Sequence, residues 1–181
     1  MARARQRRAL VFFHMPESEQ GVDQSRYMLI PRVLIFITRG NSVLLLKGAP
    51  TKRLWANKYN GVGGHVKPGE DILSAARREL LEETGLAADL WLCGTVVVDT
   101  GKNPGIGMYV FTGECPAGQL RPSAEGELEW VSFPDVGNLP VVEDLTFFLD
   151  RIQKMQRGDV PFSARSYYEY GQELIVKFAN D

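Results

Sequence analysis

Apolar and β-branched residues run almost unbroken through 33–38 and again through 43–47, separated by the four residues Arg39-Gly-Asn-Ser42. Two such runs around a turn predict a hairpin of strands, with ordered structure starting near Tyr27. Strand-like runs return at 90–99, 108–113 and 128–133, while 100–107, with three glycines and a proline, reads as a loop. The stretch 47–58 is polar and holds Pro50 and Trp55, a second loop. Asn60-Gly-Val-Gly-Gly64 carries too many glycines for an ordinary strand interior and implies close approach of its backbone to something else. The period then changes. Leu73, Ala76 and Leu80 form one apolar stripe of a helix over 72–84, with Asp71 placed to cap its start and Gly85 to end it. A second helix is expected over 143–156, and two closing strands over 162–169 and 173–178, joined at Tyr170-Gly-Gln172. Strands around two helices point to an α+β sandwich.

The chain has 181 residues, 44% hydrophobic and 24% charged, which fits one core rather than a disordered chain. Its 21 basic and 22 acidic side chains nearly cancel, which argues against a wholly basic nucleic-acid binder and leaves a local basic patch open. No apolar run reaches the roughly 20 residues of a membrane span. The two cysteines, Cys93 and Cys115, are too few for a disulfide framework, which suggests a reducing, cytoplasmic setting. The first eight residues carry four arginines. Residues 1–26 therefore read as a basic, flexible extension, with a phosphate-touching arm or an organelle transit peptide as alternatives.

Charge concentrates on the first helix. Glu79, Glu82 and Glu83 stand at i, i+3 and i+4 and leave it on one face. Three neighbouring carboxylates repel one another unless a cation sits among them, and oxygen ligands of this kind suit Mg²⁺. Alone, such a triplet reads as a solvated acidic face. Its surroundings change that. Gly64, then Glu70 after five residues, then Arg78-Glu-Leu-Leu-Glu-Glu-Thr-Gly-Leu86 after seven more fill every specified position of G-x5-E-x7-R-E-U-x-E-E-x-G-U, with U a bulky aliphatic residue. This segment resembles the signature of the Nudix hydrolases.

The resemblance implies a Nudix-type α/β/α sandwich with a mixed central sheet over 27–156, and the β-hairpin read from the tail residues then forms a C-terminal unit in 157–181 packed on that domain. It implies hydrolysis of a nucleoside diphosphate linked to another group. Glu79, Glu82 and Glu83 match the family's metal ligands, joined by Glu70 and the Gly64 carbonyl, with Mg²⁺ the expected ion and Mn²⁺ a substitute. Arg78 matches the arginine that orients a metal-binding carboxylate. Glu125 lies where some members place an extra acid before a Trp-containing strand, and Glu127 competes for that role.

The segment 59–64 is similar to Trp-Asn-Gly-Phe-Gly-Gly of the members that act on oxidised purine triphosphates, which implies that Asn60, Gly63 and Gly64 meet the substrate. Glu143 and Asp144 fall where those members use acids to accept hydrogen bonds from the base. Their stacking tryptophan aligns with Val141 here, so a stacking face would come from Trp55, Tyr59 or Tyr109 instead. The leading expectation is a (d)NTP pyrophosphohydrolase of the MutT-like kind, with ADP-ribose, dinucleotides or nucleotide sugars as other substrates. A non-catalytic nucleotide-sensing regulator, with the basic arm on nucleic acid, is the alternative from another class. The tail hairpin is expected to extend the sheet rather than cover the site or form a homodimer contact.

Overall fold

The computed structural model describes residues 23, 25–115, 117–169 and 173–179. The arginine-rich start and the turn expected at 170–172 lie outside them. The strands are β1 (Leu29–Arg39), β2 (Ser42–Gly48), β3 (Tyr59–Asn60), β4 (Val62–His65), β5 (Trp91–Asp99), β6 (Gly105–Glu114), β7 (Gly126–Ser132), β8 (Phe162–Glu169) and β9 (Glu173–Phe178). Two helices, α1 (Ile72–Thr84) and α2 (Leu145–Ile152), complete the fold, with a 3-10 turn at Phe133–Asn138. The strands form one mixed sheet whose main path is β3-β2-β1-β6-β5-β8-β9, with β4 on β1 and β7 on β2.

β1 lies at the centre because both of its faces are apolar, the signature of a strand covered on each side. Leu34 and Phe36 join Val43 and Leu45 of β2 in the core beneath α2. Val33, Ile35 and Ile37 point the other way and pack with Ala75, Ala76 and Leu80 of α1. The helices thus cover opposite faces, the α/β/α layering that the sequence predicts. β1 and β2 meet through a two-residue turn with Gly40 at φ +55, the left-handed conformation such turns need.

The two strands then part. β1 pairs with β2 at Thr38 and Arg39, but its residues Arg32 to Ile35 pair with β4 instead, while Leu46 and Lys47 of β2 pair with β3. The chain from Tyr59 to His65 is therefore a wedge driven between β1 and β2. Gly61 sits at the crossing, where a Cβ would stand 2.8 Å from the Phe36 ring and 2.9 Å from a Leu34 methyl. At Gly63 a Cβ would overlap the Val33 carbonyl. The glycine-rich segment does make the close approach expected of it, although as two short strands.

Other boundaries also shift for identifiable reasons. β6 begins at Gly105, inside the expected loop, because Gly105 and Gly107 lie under the side chains of Tyr27 and Leu29 while β6 runs parallel to β1. α2 is shorter than expected at both ends. Residues 140–142 are held extended against Tyr59 by backbone bonds of 2.9 Å and 3.0 Å. Past Ile152 the ladder tightens to single turns, Lys154 N–H to the Arg151 carbonyl and Met155 N–H to that of Ile152. α1 matches its prediction, with the Asp71 carboxylate accepting the Ser74 N–H at 2.9 Å and Gly85 at φ +74 closing the helix onto the Leu81 carbonyl.

The tail hairpin continues the sheet, β8 running parallel to β5 and β9 antiparallel to β8. Phe162 fixes it to the domain. Its ring stacks on Phe148 of α2 at 6.1 Å and meets Phe178 edge-on at 5.5 Å.

Candidate active site

α1 crosses β4 where the two glycines remove side chains. The Glu79 carboxylate lies against Gly64, in the space that a Cβ there would fill. One turn later, Glu83 Oε2 accepts the Gly63 N–H at 3.4 Å. Burial and the neighbouring Glu79 charge push the Glu83 carboxyl up to about 7. The Gly63 bond and Lys52 oppose that shift, while Glu125 adds to it.

Arg78 organises the carboxylates on the other side. It donates two bonds of 2.8 Å to Glu70, one of 2.7 Å to Glu79 and one of 3.1 Å to Glu82. A further bond of 3.0 Å goes to the His65 carbonyl, which ties α1 to the end of β4. The two Arg78 bonds to Glu70, helped by the Lys67 N–H at 3.1 Å, hold the Glu70 carboxyl at about 2. Both Glu70 oxygens are thereby engaged, and Glu82 is half-exposed with Lys67 3.9 Å away. Glu79 Oε2 has no hydrogen-bond partner among the described residues.

Glu79 and Glu83 open into a cleft of about 580 Å³, which Gly63, Gly64, Asn60, Glu125 and Asp144 also line. Glu125 reaches it from the loop before β7, and Glu127 does not. Glu70, Arg78 and Glu82 stand outside the cleft, as does Glu143, whose Oε2 accepts the Tyr168 hydroxyl at 3.0 Å. Asp144 is pushed above the usual carboxylate range by burial. Asn60 Oδ1 accepts the Gly61 N–H at 2.8 Å, so its carbonyl is fixed and its amide NH₂ is left as donor.

A group not anticipated from the sequence completes the lining. Arg32, Lys52, Lys58 and Lys67 give the cleft a basic share suited to an anionic ligand, and His65, whose Nε2 accepts the Arg32 Nε–H at 3.1 Å, lines it beside them. Lys52 Nζ stands 2.5 Å from Glu125 Oε2, and the Ala49 N–H donates to the Glu125 carbonyl at 3.0 Å. Neither cysteine takes part. Cys93 is buried and its thiol is pushed up to about 12, far from a thiolate. Among the described residues no three His, Cys, Asp or Glu side chains converge as a ready-made cation site. No helix among them is long and apolar enough to cross a membrane.

Known proteins resemble this chain in sequence and in fold. The chain is 32% identical over 155 residues to the oxidized purine nucleoside triphosphate hydrolase of Danio rerio, covering 82% of this chain and 92% of that one. The mutator MutT protein of Bacillus halodurans superposes with a TM-score of 0.70 at 23% identity, over 84% of this chain and 99% of the other. The NUDIX domain of Shewanella oneidensis NrtR, solved with ADP ribose, gives 0.65 at 16% identity, over 77% and 98%. The NUDIX domain model matches residues 28–151, and the chain belongs to that family.

Proposed function

We propose that the chain is a divalent-metal-dependent pyrophosphohydrolase that cuts (d)NTPs, oxidised purine nucleotides among them, to NMP and pyrophosphate. Family hydrolases act on nucleotides and generally use divalent ions. The observation that carries the reading is the pair Glu79 and Glu83, seated on the Gly63–Gly64 backbone and opening into a cleft with Asn60 and Asp144 in its lining. Two carboxylates, even joined by the Gly64 carbonyl that the family resemblance adds, are too few for a closed protein cage. They suit Mg²⁺, with Mn²⁺ able to replace it, because that ion keeps waters and takes substrate phosphates as further ligands. When bound, it neutralises phosphate charge and acidifies water for attack on phosphorus.

The chain's own groups divide the remaining work. Arg78, braced by Glu70, fixes the Glu79 carboxylate on its inner side. Glu82 supports Arg78 from the exposed side. Glu125 takes a proton within the cleft or adds a third carboxylate, and Lys52 meets the phosphate charge. The Asn60 NH₂ donates to an acceptor on the base edge, while the Asp144 carboxyl takes the complementary bond. Glu143, held by Tyr168, stays outside.

The test is product analysis over a panel of canonical and oxidised (d)NTPs, ADP-ribose, dinucleotides and UDP-sugars, with Mg²⁺ and with chelator. NMP plus pyrophosphate from triphosphates supports the reading. Preferred cleavage of ADP-ribose or a nucleotide sugar would replace the substrate, and binding without turnover would favour a nucleotide-sensing regulator.

A further inference from the structure

The loop from Ala49 to Lys58 folds tightly beside the cleft. The Gly48 N–H donates to the Lys58 carbonyl at 3.0 Å, the Asn57 N–H to the Gly48 carbonyl at 2.9 Å, and the Lys58 N–H to the Trp55 carbonyl at 3.1 Å. It is seated on Gly48, where a Cβ would stand 2.7 Å from the Trp55 carbonyl. This folding forces Trp55 to φ +58, a left-handed conformation that a bulky L residue adopts only under backbone strain.

Trp55 is also 49% exposed, although an indole is among the largest apolar groups a chain can bury. It lines the same cleft as Glu79, Glu83, Asn60 and Asp144. Strain and exposure at one aromatic residue mark a role beyond packing. The other aromatic candidates are already engaged elsewhere. Tyr59 is 6% exposed and its hydroxyl donates to Glu129 at 2.7 Å, and Tyr109 packs with the core under α1.

We propose that Trp55 is the platform on which the substrate's base stacks. It therefore selects phosphoanhydrides that carry a flat heteroaromatic base over those that carry none. The inference rests on the nucleotide reading above and adds a specificity residue to it. An indole face accepts any base, so base identity remains with Asn60 and Asp144.

The experiment compares wild type, Trp55→Gly and Trp55→Phe. Glycine adopts φ +58 without strain, so Trp55→Gly keeps its melting temperature while losing the platform. Its KM for purine triphosphates rises about tenfold, the size of one base–aromatic stack, and kcat holds. The inhibition constant of inorganic tripolyphosphate, which has no base, stays as in wild type. Trp55→Phe retains the low KM but loses the tryptophan fluorescence change that nucleotide produces in wild type. An unchanged KM in Trp55→Gly overturns the proposal, as does a tripolyphosphate constant that rises in step or a Trp55→Phe KM as high as that of Trp55→Gly. If wild type turns over no nucleotide at all, the functional reading itself fails. If it does and Trp55→Gly matches it, only this inference fails.

Discussion

Arg78 grips Glu70 through two parallel hydrogen bonds, Nε to Oε1 and Nη2 to Oε2, both 2.8 Å. This fork leaves Nη1 for Glu79 and Glu82, so one planar cation sets the position of three carboxylates. A lysine cannot reproduce the fork. Arg78→Lys should therefore lower kcat about 10–100-fold, the usual size of a lost supporting contact, with a smaller change in KM. Steady-state kinetics at saturating Mg²⁺ checks it.

The same pair predicts an acid limit. The Glu70 carboxyl is held at about 2, below its ordinary value of 4.5. Its stabilising share is complete above pH 4.5 and is lost as the pH falls towards 2. Glu70→Gln should flatten the pH dependence of the melting temperature in that window and leave its shape above pH 5 unchanged.

Glu83 predicts the opposite sign. Its carboxyl is raised to about 7, so the metal-free fold is stabilised below pH 4.5 and loses that share as the pH rises through 7. Without metal, Glu83→Gln should melt about 5 °C higher than wild type at pH 8, with the gap closing below pH 4.5. The same proton competes with a cation, so Mg²⁺ affinity in wild type should rise between pH 6 and 8 and this rise should vanish in Glu83→Gln. Scanning fluorimetry and calorimetry read both effects.

Lys52 and Glu125 are partly exposed, and such pairs contribute little to stability, on the order of 1 kcal/mol or less. Lys52→Ala should shift the melting temperature by no more than about 3 °C. Its kcat/KM for triphosphates should fall about tenfold, with a weaker dependence on salt than wild type. A large loss of stability with unchanged kinetics would make the pair structural.

Asp144 lines the cleft and Glu143 does not. Asp144→Asn should change the ratio of kcat/KM between purine triphosphates by about tenfold or more, because it alters which partner at the base edge can donate. Glu143→Gln should leave that ratio in place.

Much of this fold was legible in short-range pattern. The Asp71 cap, the Gly85 stop and the spacing of Glu79, Glu82 and Glu83 are local, and the helix forms where they place it. What the sequence hid depends on distant partners. Gly105 looks like a loop residue until Tyr27 lies over it. Residues 143 and 144 look helical until the pairing of 140–142 with Tyr59 delays the start of α2 to Leu145. The resemblance had put Glu125 ahead of Glu127, and Glu125 does line the cleft, but the choice of Asp144 over Glu143 goes with the Tyr168 hydroxyl, which spacing cannot reveal. Lys52 sat in a loop with no motif, and only the folded chain brings it to Glu125.

The most direct measurement is pyrophosphate and NMP release from (d)NTPs by wild type and Glu83→Gln, each with Mg²⁺ and with chelator. The account predicts turnover by wild type with Mg²⁺ alone and a loss of at least about 100-fold in the variant, whose metal-free fold is the more stable at pH 8. Equal turnover by the two proteins, or turnover indifferent to chelator, would contradict it.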